Sequence, residues 1–300
     1  MTLFDRHVVV DWSARNAPTT GADSIWIAHR DAAGTTTFSN PATRHAAVGE
    51  LDALLGDGSG ARTLLTLDAS FGYPSGSAAW FGLDASSPWR AMWETLEREI
   101  DDDERNRSNR FEVAASLNRR GGGGPAPFWG RHATNEIAGL TVTKPADFPV
   151  PEFRACDELL RSTGARPASP WQLLGAGSVG SQSLTLIPLL ERLRRRHGAE
   201  VWPFTTGLSV PEVGHGTTVI AEIWPTAFDV ELPIHWVRDA AQVDGVARRL
   251  AEADRSGELA SWFTPPVGDP ASVVAEEGWI LGVPAVLAPR SGSPAGRSGV

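Results

Sequence analysis

Three short runs of apolar, strand-forming residues along the chain each end directly on an acidic residue. Residues 7–11 end on Asp11, residues 63–68 end on Asp68, and the run that closes at residue 222 ends on Glu222. A strand that stops on a carboxylate places that carboxylate at the C-terminal edge of a sheet, where open α/β sheets bind ligands and metals. The pattern therefore predicts three carboxylates at one sheet edge, where they can converge on a divalent cation.

The first third of the chain has the pattern of a sheet built strand after strand. The continuous apolar run at residues 8–10 predicts a strand that is covered on both faces. Residues 24–28 and 35–38 predict two further strands, and the turns before them contain Gly21 and Gly34. This spacing predicts a three-stranded antiparallel meander.

A helix is predicted from about residue 44 to residue 55, before the strand that ends at Asp68. The predicted order is therefore strand, strand, strand, helix, strand, which is also the order of the ribonuclease H-like fold. In that fold the fourth strand lies beside the first, so Asp11 and Asp68 are expected to be neighbours. Two adjacent carboxylates repel each other unless a cation bridges them. The alternative is that both are turn or capping residues, because Asp is common after strands.

A later helix, predicted from roughly residue 235 to residue 253, offers a fourth acid. At about 100° per residue, Asp239 falls on the same face as the apolar Val243, whereas Asp244 points away from that face. Asp239 is therefore predicted to reach the sheet edge, with Asp244 in reserve. The alternative is that Asp239 only complements the positive end of the helix.

The segment from residue 104 to residue 131 contains more arginines than acids, although the chain as a whole is acidic. Glycines at 121–124 allow a close approach of the backbone to a ligand, and aromatic residues follow them. The side chains predicted to clamp phosphates are Arg110, Asn118, Arg119 and Arg131, and those predicted to stack on a base are Phe128, Trp129 or Trp171. The alternative is a plain flexible surface loop.

Residues 175–180 match the glycine fingerprint of dinucleotide-binding proteins. The residues before them, including Pro170, make a poor central strand, and no strand that ends on a ribose-binding acid follows at the usual interval. NAD or FAD binding is therefore not expected. We interpret the segment as a loop before a helix from about residue 183 to residue 196, where Ser178 and Gln182 suit an anion such as phosphate.

The composition favours a large α/β domain. The chain has 300 residues, of which 41% are hydrophobic, and a formal net charge of −9, so its surface as a whole is not built to attract polyanions. A lone cysteine, Cys156, excludes an intramolecular disulfide. No stretch is predicted to span or enter a membrane, so a cytoplasmic protein without a membrane partner is expected. One domain is predicted over residues 1–288, with an Arg/Gly/Trp-rich insertion at about 85–200 and a disordered tail at 289–300.

Short segments spread along the chain carry a family resemblance. They are residues 10–14, 67–72, 111–114, 128–130, 177–182, 222–225 and 277–282. Together they resemble an uncharacterised family of predicted ribonuclease H-like nucleases. The resemblance implies an α/β fold, with a mixed sheet of a three-stranded meander and parallel strands flanked by helices, and an acid-dependent hydrolysis. Members often carry acids three residues apart in a late helix, whereas Ala241 stands three residues before Asp244, which leaves the helical acid open.

The predicted function is metal-dependent hydrolysis of a phosphodiester in a nucleic acid or nucleotide. The carboxylates of Asp11, Asp68, Glu222 and Asp239 would hold one or two Mg²⁺ or Mn²⁺ ions, which prefer oxygen ligands. One alternative is a non-catalytic protein that binds an anionic ligand or a partner on the same fold. Another is an actin-like ATP-dependent phosphotransferase, although Trp12 occupies a position where that group usually has glycine.

Overall fold

Six strands form one mixed sheet with helices on both of its faces. The computed structural model describes residues 2–175, 178–230 and 237–287. The strands are β1 (Arg6–Asp11), β2 (Trp26–Arg30), β3 (Thr36–Ser39), β4 (Thr63–Asp68), β5 (Glu200–Val201) and β6 (Thr218–Glu222). Their order across the sheet is β3-β2-β1-β4-β6-β5. The predicted meander of β1, β2 and β3 is confirmed, and so is the position of β4 beside β1.

Helices connect the strands and cover the sheet. They are α1 (Arg44–Leu55), α2 (Ser77–Trp80), α3 (Pro88–Glu99), α4 (Arg110–Arg120), α5 (Ala155–Ser162), α6 (Val179–His197), α7 (Arg238–Ser256), α8 (Leu259–Trp262) and α9 (Pro270–Ser272). Short 3₁₀ turns occupy Pro225–Ala227 and Ala285–Leu287, and a π turn occupies Val273–Glu277. No helix within the described residues is long and apolar enough to cross a membrane.

The helix ends follow from local chemistry. The Thr43 side chain accepts a hydrogen bond from the Ala46 N–H and so caps α1, whose predicted range is confirmed. Helix α6 begins at Val179 rather than near residue 183, and it ends where Gly198 adopts the left-handed conformation (φ 60°) that glycine favours. The predicted start of α7 falls in residues 231–236, which lie outside the described residues.

The central strands are apolar along their whole length because both faces of the sheet are covered. Val8 and Val10 of β1 point into a core shared with α1, α3, α4 and α6. Val9, between them, points into the opposite core, which is shared with α5, α7 and α8. The alternation of side chains along a strand therefore supplies both cores from one apolar run.

The inserted segment between β4 and β5 supplies α3, α4 and α6 to one layer on the sheet and α5 to the other. Trp93 of α3 is fully buried in the first core, and its indole N–H donates to the Phe71 carbonyl at 2.7 Å. Leu184 of α6 and Leu117 of α4 are buried in the same core. The insertion therefore holds the loops that follow β4 in place. The tail predicted at residues 289–300 lies outside the described residues.

Candidate functional site

The C-terminal edge of the sheet carries the predicted acids. Strands β1 and β4 run parallel, and their register places Asp11 directly opposite Asp68. Strand β6 runs parallel on the other side of β4 and ends on Glu222, which pairs in register with Leu67. Asp239, in the first turn of α7, lines the same cavity as Asp11. The strand order therefore places the three strand-ending acids at one edge.

The adjacent carboxylates of Asp11 and Asp68 have unusual electrostatics. Loss of solvation raises the pKa of Asp11 to about 7, with further contributions from the charges of Asp239 and Asp23. Burial raises the pKa of Asp68 well above its usual range, and the charges of Asp11 and Glu222 add to this. Among the described residues, neither carboxylate has a hydrogen-bond or ion-pair partner. The pair is therefore stabilised by a proton or by a cation.

Glu222 has a different environment, which the sequence did not indicate. The Arg154 guanidinium donates two hydrogen bonds to the Glu222 carboxylate, at 2.6 and 2.7 Å, and the Phe71 N–H donates a third at 3.0 Å. Arg154 also binds Asp157 at 3.0 and 3.1 Å, and all three charged side chains are buried. Burial raises the pKa of Glu222, and Arg154 offsets part of that rise. Glu222 is therefore a member of a buried ion-pair network.

Arg154 has only a weak signal in the sequence. It stands at the N-cap of α5, where the Asp157 carboxylate three residues later accepts from its backbone N–H at 3.1 Å. An arginine three residues before an aspartate is common on exposed helices. The contact with Glu222 joins residues that are 68 positions apart, so no local pattern reveals it.

The two candidate acids of α7 lie in different places. The Asp239 carboxylate faces the cavity and accepts a hydrogen bond from the Asp23 N–H at 2.7 Å. Asp244 is 7% exposed and pairs with Arg248 at 2.8 Å, which corrects the expectation that it points away from the packed face. The segment that contains Val230 covers this side of α7 as well, because a Cβ atom at the neighbouring Gly245 would lie only 2.6 Å from the Val230 side chain.

Two cavities open on either side of the acid pair. One of about 820 Å³ is lined by Asp11 and Asp239, together with Ser178 and Arg110. The other, of about 500 Å³, is lined by Asp68, Ser70, Arg154, Arg166 and Glu222, among others. Gln182 lines both cavities, and its amide donates to the Trp12 carbonyl at 2.6 Å. The structure therefore brings the predicted residues Arg110, Ser178 and Gln182 to the site.

The structure assigns Asn118 and Phe128 to the core rather than to a ligand. The Asn118 amide donates to the Phe128 and Gly139 carbonyls, at 2.9 and 2.8 Å, and its oxygen accepts from the Phe128 N–H. Phe128 is fully buried and packs on Phe81 and Trp171. Trp171 is equally buried, so neither ring can stack on a base. The large hydrophobic area of the two rings favours burial in the core, and this outweighs the exposure that a position near glycines in the sequence predicts.

The remaining residues predicted as a phosphate clamp bind backbone carbonyls. Arg119 donates to the Ala138 carbonyl, and Arg131 donates to the carbonyls of Leu140, His132 and Asn135. Trp129 is half-buried, and its backbone pairs with Trp171 and Leu173. Within the described residues, these three side chains line neither cavity. Arg119 and Arg131 thus tie the loop after α4 to itself, and the expectation that the three side chains contact substrate stays a prediction.

Replacing Asn118 with alanine tests this structural role. We expect the free energy of unfolding to fall by about 1–3 kcal/mol, because the buried backbone groups of Phe128 and Gly139 lose their partners. Urea denaturation measures the change. Arg119→Ala, at an exposed position of the same helix, is the matched control and is expected to change it by less than about 0.5 kcal/mol. Equal stability of the two variants would contradict the assignment.

Comparisons with protein-family models, with curated proteins and with solved structures found no match. The geometry and chemistry of the site are therefore what bears on function.

The acid pair offers oxygen donors of the kind that hard divalent cations prefer. Among the described residues, no three His, Cys, Asp or Glu side chains meet in a preformed metal-binding group. Mg²⁺ is commonly held by only one or two carboxylates, together with waters and substrate phosphates. Asp11 and Asp68 supply unpaired, half-buried oxygen donors and fit this mode. Glu222 does not fit as a ligand of the same ion, because Arg154 occupies both of its oxygens.

Proposed function

We propose that this chain is a Mg²⁺- or Mn²⁺-dependent phosphodiester hydrolase. The observation that carries the proposal is the pair of Asp11 and Asp68, which lie side by side at the end of two parallel strands and have no partner for their charges in the part of the chain that the structure describes. Repulsion between two such carboxylates destabilises the folded state, and a pair of this kind is typical of a functional site where a bound group offsets the repulsion. Binding of a hard divalent cation is the use that best matches oxygen donors at a sheet edge.

The order of the strands supports a ribonuclease H-like assignment. A three-stranded meander is followed by α1 and then by β4, which lies parallel to β1. In this arrangement the acids at the ends of the first and fourth strands lie next to each other at the same sheet edge, with Asp11 lining one cavity and Asp68 lining the other. The helical acid would be Asp239, since it lines the cavity next to Asp11. Asp244 is committed to Arg248.

The residues of the site have distinct tasks in the proposed reaction. A bound Mg²⁺ or Mn²⁺ would supply Lewis-acid stabilisation of the charge that develops on a phosphoryl oxygen. Asp11, with its pKa near 7, gives up its proton when the cation binds, so binding is expected to weaken below neutral pH. Asp239 adds negative charge at the cavity and holds the backbone of Asp23 in position. Overall, water adds to phosphorus, the ester P–O bond breaks, and the leaving oxygen takes a proton.

We further propose that the site takes one ion rather than two. A second ion would need Glu222 as a ligand. The positive charge of Arg154 already occupies that side of the sheet edge. A guanidinium held by two carboxylates is a fixed cation that cannot be displaced without a large desolvation cost. The expected stoichiometry is therefore one Mn²⁺ per chain.

Calorimetric titration with Mn²⁺ and a thermal unfolding series in Mg²⁺ test the proposal. In the wild type, 10 mM Mg²⁺ is expected to raise Tm by about 2–5 °C, as for binding with a millimolar Kd. Asp11→Asn combined with Asp68→Asn is expected to remove both responses, because the two oxygen ligands become neutral amides. Hydrolysis of bis(p-nitrophenyl) phosphate and of a short single-stranded oligonucleotide should disappear in the same variant.

The matched control is Asp244→Asn, which removes an acid from the same helix as Asp239 but outside the cavity. It is expected to leave the metal response unchanged. An undiminished Tm shift in the double variant would refute the metal site. A full metal response without any hydrolysis would retain the site and reject the reaction.

A second candidate function is the binding of an anionic ligand without turnover. It is favoured by the commitment of Glu222 to Arg154, which leaves fewer free carboxylates than hydrolases with two ions require. This candidate predicts ligand binding with no phosphodiester cleavage under Mg²⁺ or Mn²⁺, so the hydrolysis assay separates the two functions.

A further inference from the structure

Arg110 is a buried cation that neutral groups hold in place and that forms no ion pair with any described residue. It is only 5% exposed, and it lines the larger cavity together with Asp11. Its Nε donates to the Ser181 hydroxyl at 2.9 Å, and its Nη1 donates to the Ser108 hydroxyl at 2.8 Å and to the Asn16 amide oxygen. All three acceptors are neutral. The guanidinium is therefore oriented by its neighbours and lies 4.7 Å from the centroid of the Phe111 ring, while the charges of Asp102 and Glu112 act on it without direct contact.

The charged groups near Arg110 do not pair with it. Arg44 and Asp102 form their own ion pair, with hydrogen bonds of 2.5 and 2.6 Å. Burial, with a further contribution from the charge of Arg44, lowers the pKa of Arg110 to about 10, so it stays protonated at neutral pH. Among the described residues no carboxylate forms an ion pair with Arg110, and its Nη2 makes no hydrogen bond, while the residue lines the cavity. A buried cation without a counter-charge is costly unless it receives an anion.

The start of α6 forms the adjacent wall of the same cavity. Ser178 and Ser181 both line it, and Ser178, at the N-cap, makes no side-chain capping bond. The first turn of this 19-residue helix thus adds the positive end of the helix dipole next to Arg110. Gly180 permits this arrangement, because a Cβ atom there would lie 2.6 Å from the Pro170 carbonyl oxygen.

The distribution of charge indicates a small anion rather than a long polyanion. The neighbouring arginines are already engaged, since Arg107 and Arg120 pair with acids and Arg15, at the cavity, pairs with Asp23. No basic groove continues from Arg110 across the described surface of this cavity, and the chain carries a net charge of −9. A volume of about 820 Å³ is in the range of sites for small ligands and cofactors.

We propose that Arg110 and the first turn of α6 form a phosphate subsite for a small phosphate ester of the mononucleotide class. Arg110 binds one phosphate through its free Nη2, and the ester extends across the cavity toward Asp11. The subsite rests on the proposed function for its place in the reaction. Binding of the phosphate itself requires no metal, because Arg110 and the helix supply positive charge at their end of the cavity, against the negative charges of Asp11, Asp23 and Asp239 that line the same cavity.

Calorimetry in EDTA with adenosine 5′-monophosphate as the probe tests the subsite. The nucleotide is expected to bind the wild type, whereas adenosine, which lacks the phosphate, is expected to bind at least about ten-fold more weakly. Arg110→Met, which retains the apolar stem without the charge, should weaken nucleotide binding by about ten-fold or more. Arg119→Met, at an exposed position of the same helix, should leave it unchanged. A single strand of 20 nucleotides should bind no more tightly than the mononucleotide.

Arg110→Lys retains a positive charge at the site and is expected to bind the nucleotide with intermediate affinity. If Arg110→Met does not fold, NMR decides in the wild type, because the nucleotide must shift the side-chain ¹⁵N signal that Arg110→Lys removes. The absence of that shift, or wild-type affinity in a folded Arg110→Met, would overturn the subsite. A strand that binds ten-fold more tightly than the mononucleotide would also overturn it.

The failure of this subsite and the failure of the metal site can be told apart. Asp11→Asn with Asp68→Asn should retain nucleotide binding in EDTA while losing the response to Mg²⁺. Arg110→Met should show the reverse, with its Mg²⁺ response retained and its nucleotide binding weakened.

Discussion

Replacing Arg154 with methionine is expected to lower the free energy of unfolding by about 3–5 kcal/mol. The guanidinium pairs with Glu222 and Asp157, and both carboxylates are buried. Without Arg154, two negative charges are left in the interior without a counter-charge. Urea denaturation at pH 7.5 measures the loss, and Arg161→Met is the matched control on the same helix. Arg161 makes an exposed ion pair with Glu158 and lies 4.1 Å from the centroid of the Phe153 ring, and its removal should cost less than about 1 kcal/mol because both contacts are solvent-exposed or weak.

The loss in Arg154→Met should depend on pH. Burial already raises the pKa of Glu222, and removal of Arg154 raises it further. A carboxyl group whose pKa is higher in the folded state binds its proton more tightly there, so folding is favoured at low pH. The variant is therefore expected to regain part of its stability as the pH falls from 7.5 toward 5. A loss below about 1 kcal/mol at pH 7.5, or a loss that grows on acidification over this range, would contradict the role given to Arg154.

Replacing Asp11 with asparagine is expected to raise stability at pH 8 in the absence of metal. The pKa of Asp11 is about 7 in the folded protein against an ordinary value of 3.8, so the folded state is penalised progressively as the pH rises from about 4 through 7. The full shift corresponds to about 4 kcal/mol, and partial solvation of the half-buried side chain reduces this to about 1–3 kcal/mol. The amide carries no charge, so the gain should vanish near pH 4.

Asp5→Asn is the control with the opposite sign. Its hydrogen bond to Arg62 lowers the pKa of Asp5 to about 2, so the ionised form stabilises the folded state at neutral pH. The substitution should therefore lower stability slightly at pH 8 rather than raise it. Addition of 10 mM Mg²⁺ should reduce or reverse the gain in the free energy of unfolding that Asp11→Asn gives, because only the wild type keeps both carboxylate ligands. A variant that is less stable than the wild type at pH 8 in EDTA would contradict the strained pair.

Local patterns were sufficient for β1, β2, β3, β4 and β6, whereas the two-residue edge strand β5 was not predicted. The apolar run at residues 8–10 is buried on both faces, as such a run predicts, and the periodic positions of α1 lead to its observed range. The neighbours Asp11 and Asp68 follow from strand order, because a fourth strand beside the first aligns their ends. These features depend on residues that are close in sequence or on simple rules of connection.

Other features depend on partners that are distant in the chain. Asn118 looks like a polar ligand in a glycine-rich segment, yet it is fully buried because Phe128 and Gly139 fold back onto it. Asp244 looks exposed by helical phase, yet the segment that contains Val230 packs against the next residue of its helix. Periodicity reports the apolar side of a helix, and it does not report what else covers that helix.

The sequence by itself determined an α/β chain whose strands end on Asp11, Asp68 and Glu222. The reason is that the residue types within each segment predict its strands, and the order of the segments predicts which strands are neighbours. Only the tertiary structure decided which of these acids is free. It places Arg154 against Glu222, whereas Asp11 and Asp68 have no partner within residues 2–175, 178–230 and 237–287. The physical reason is that the charge state of a carboxylate at a sheet edge is set by contacts through space, and the contact that neutralises Glu222 comes from a residue 68 positions away.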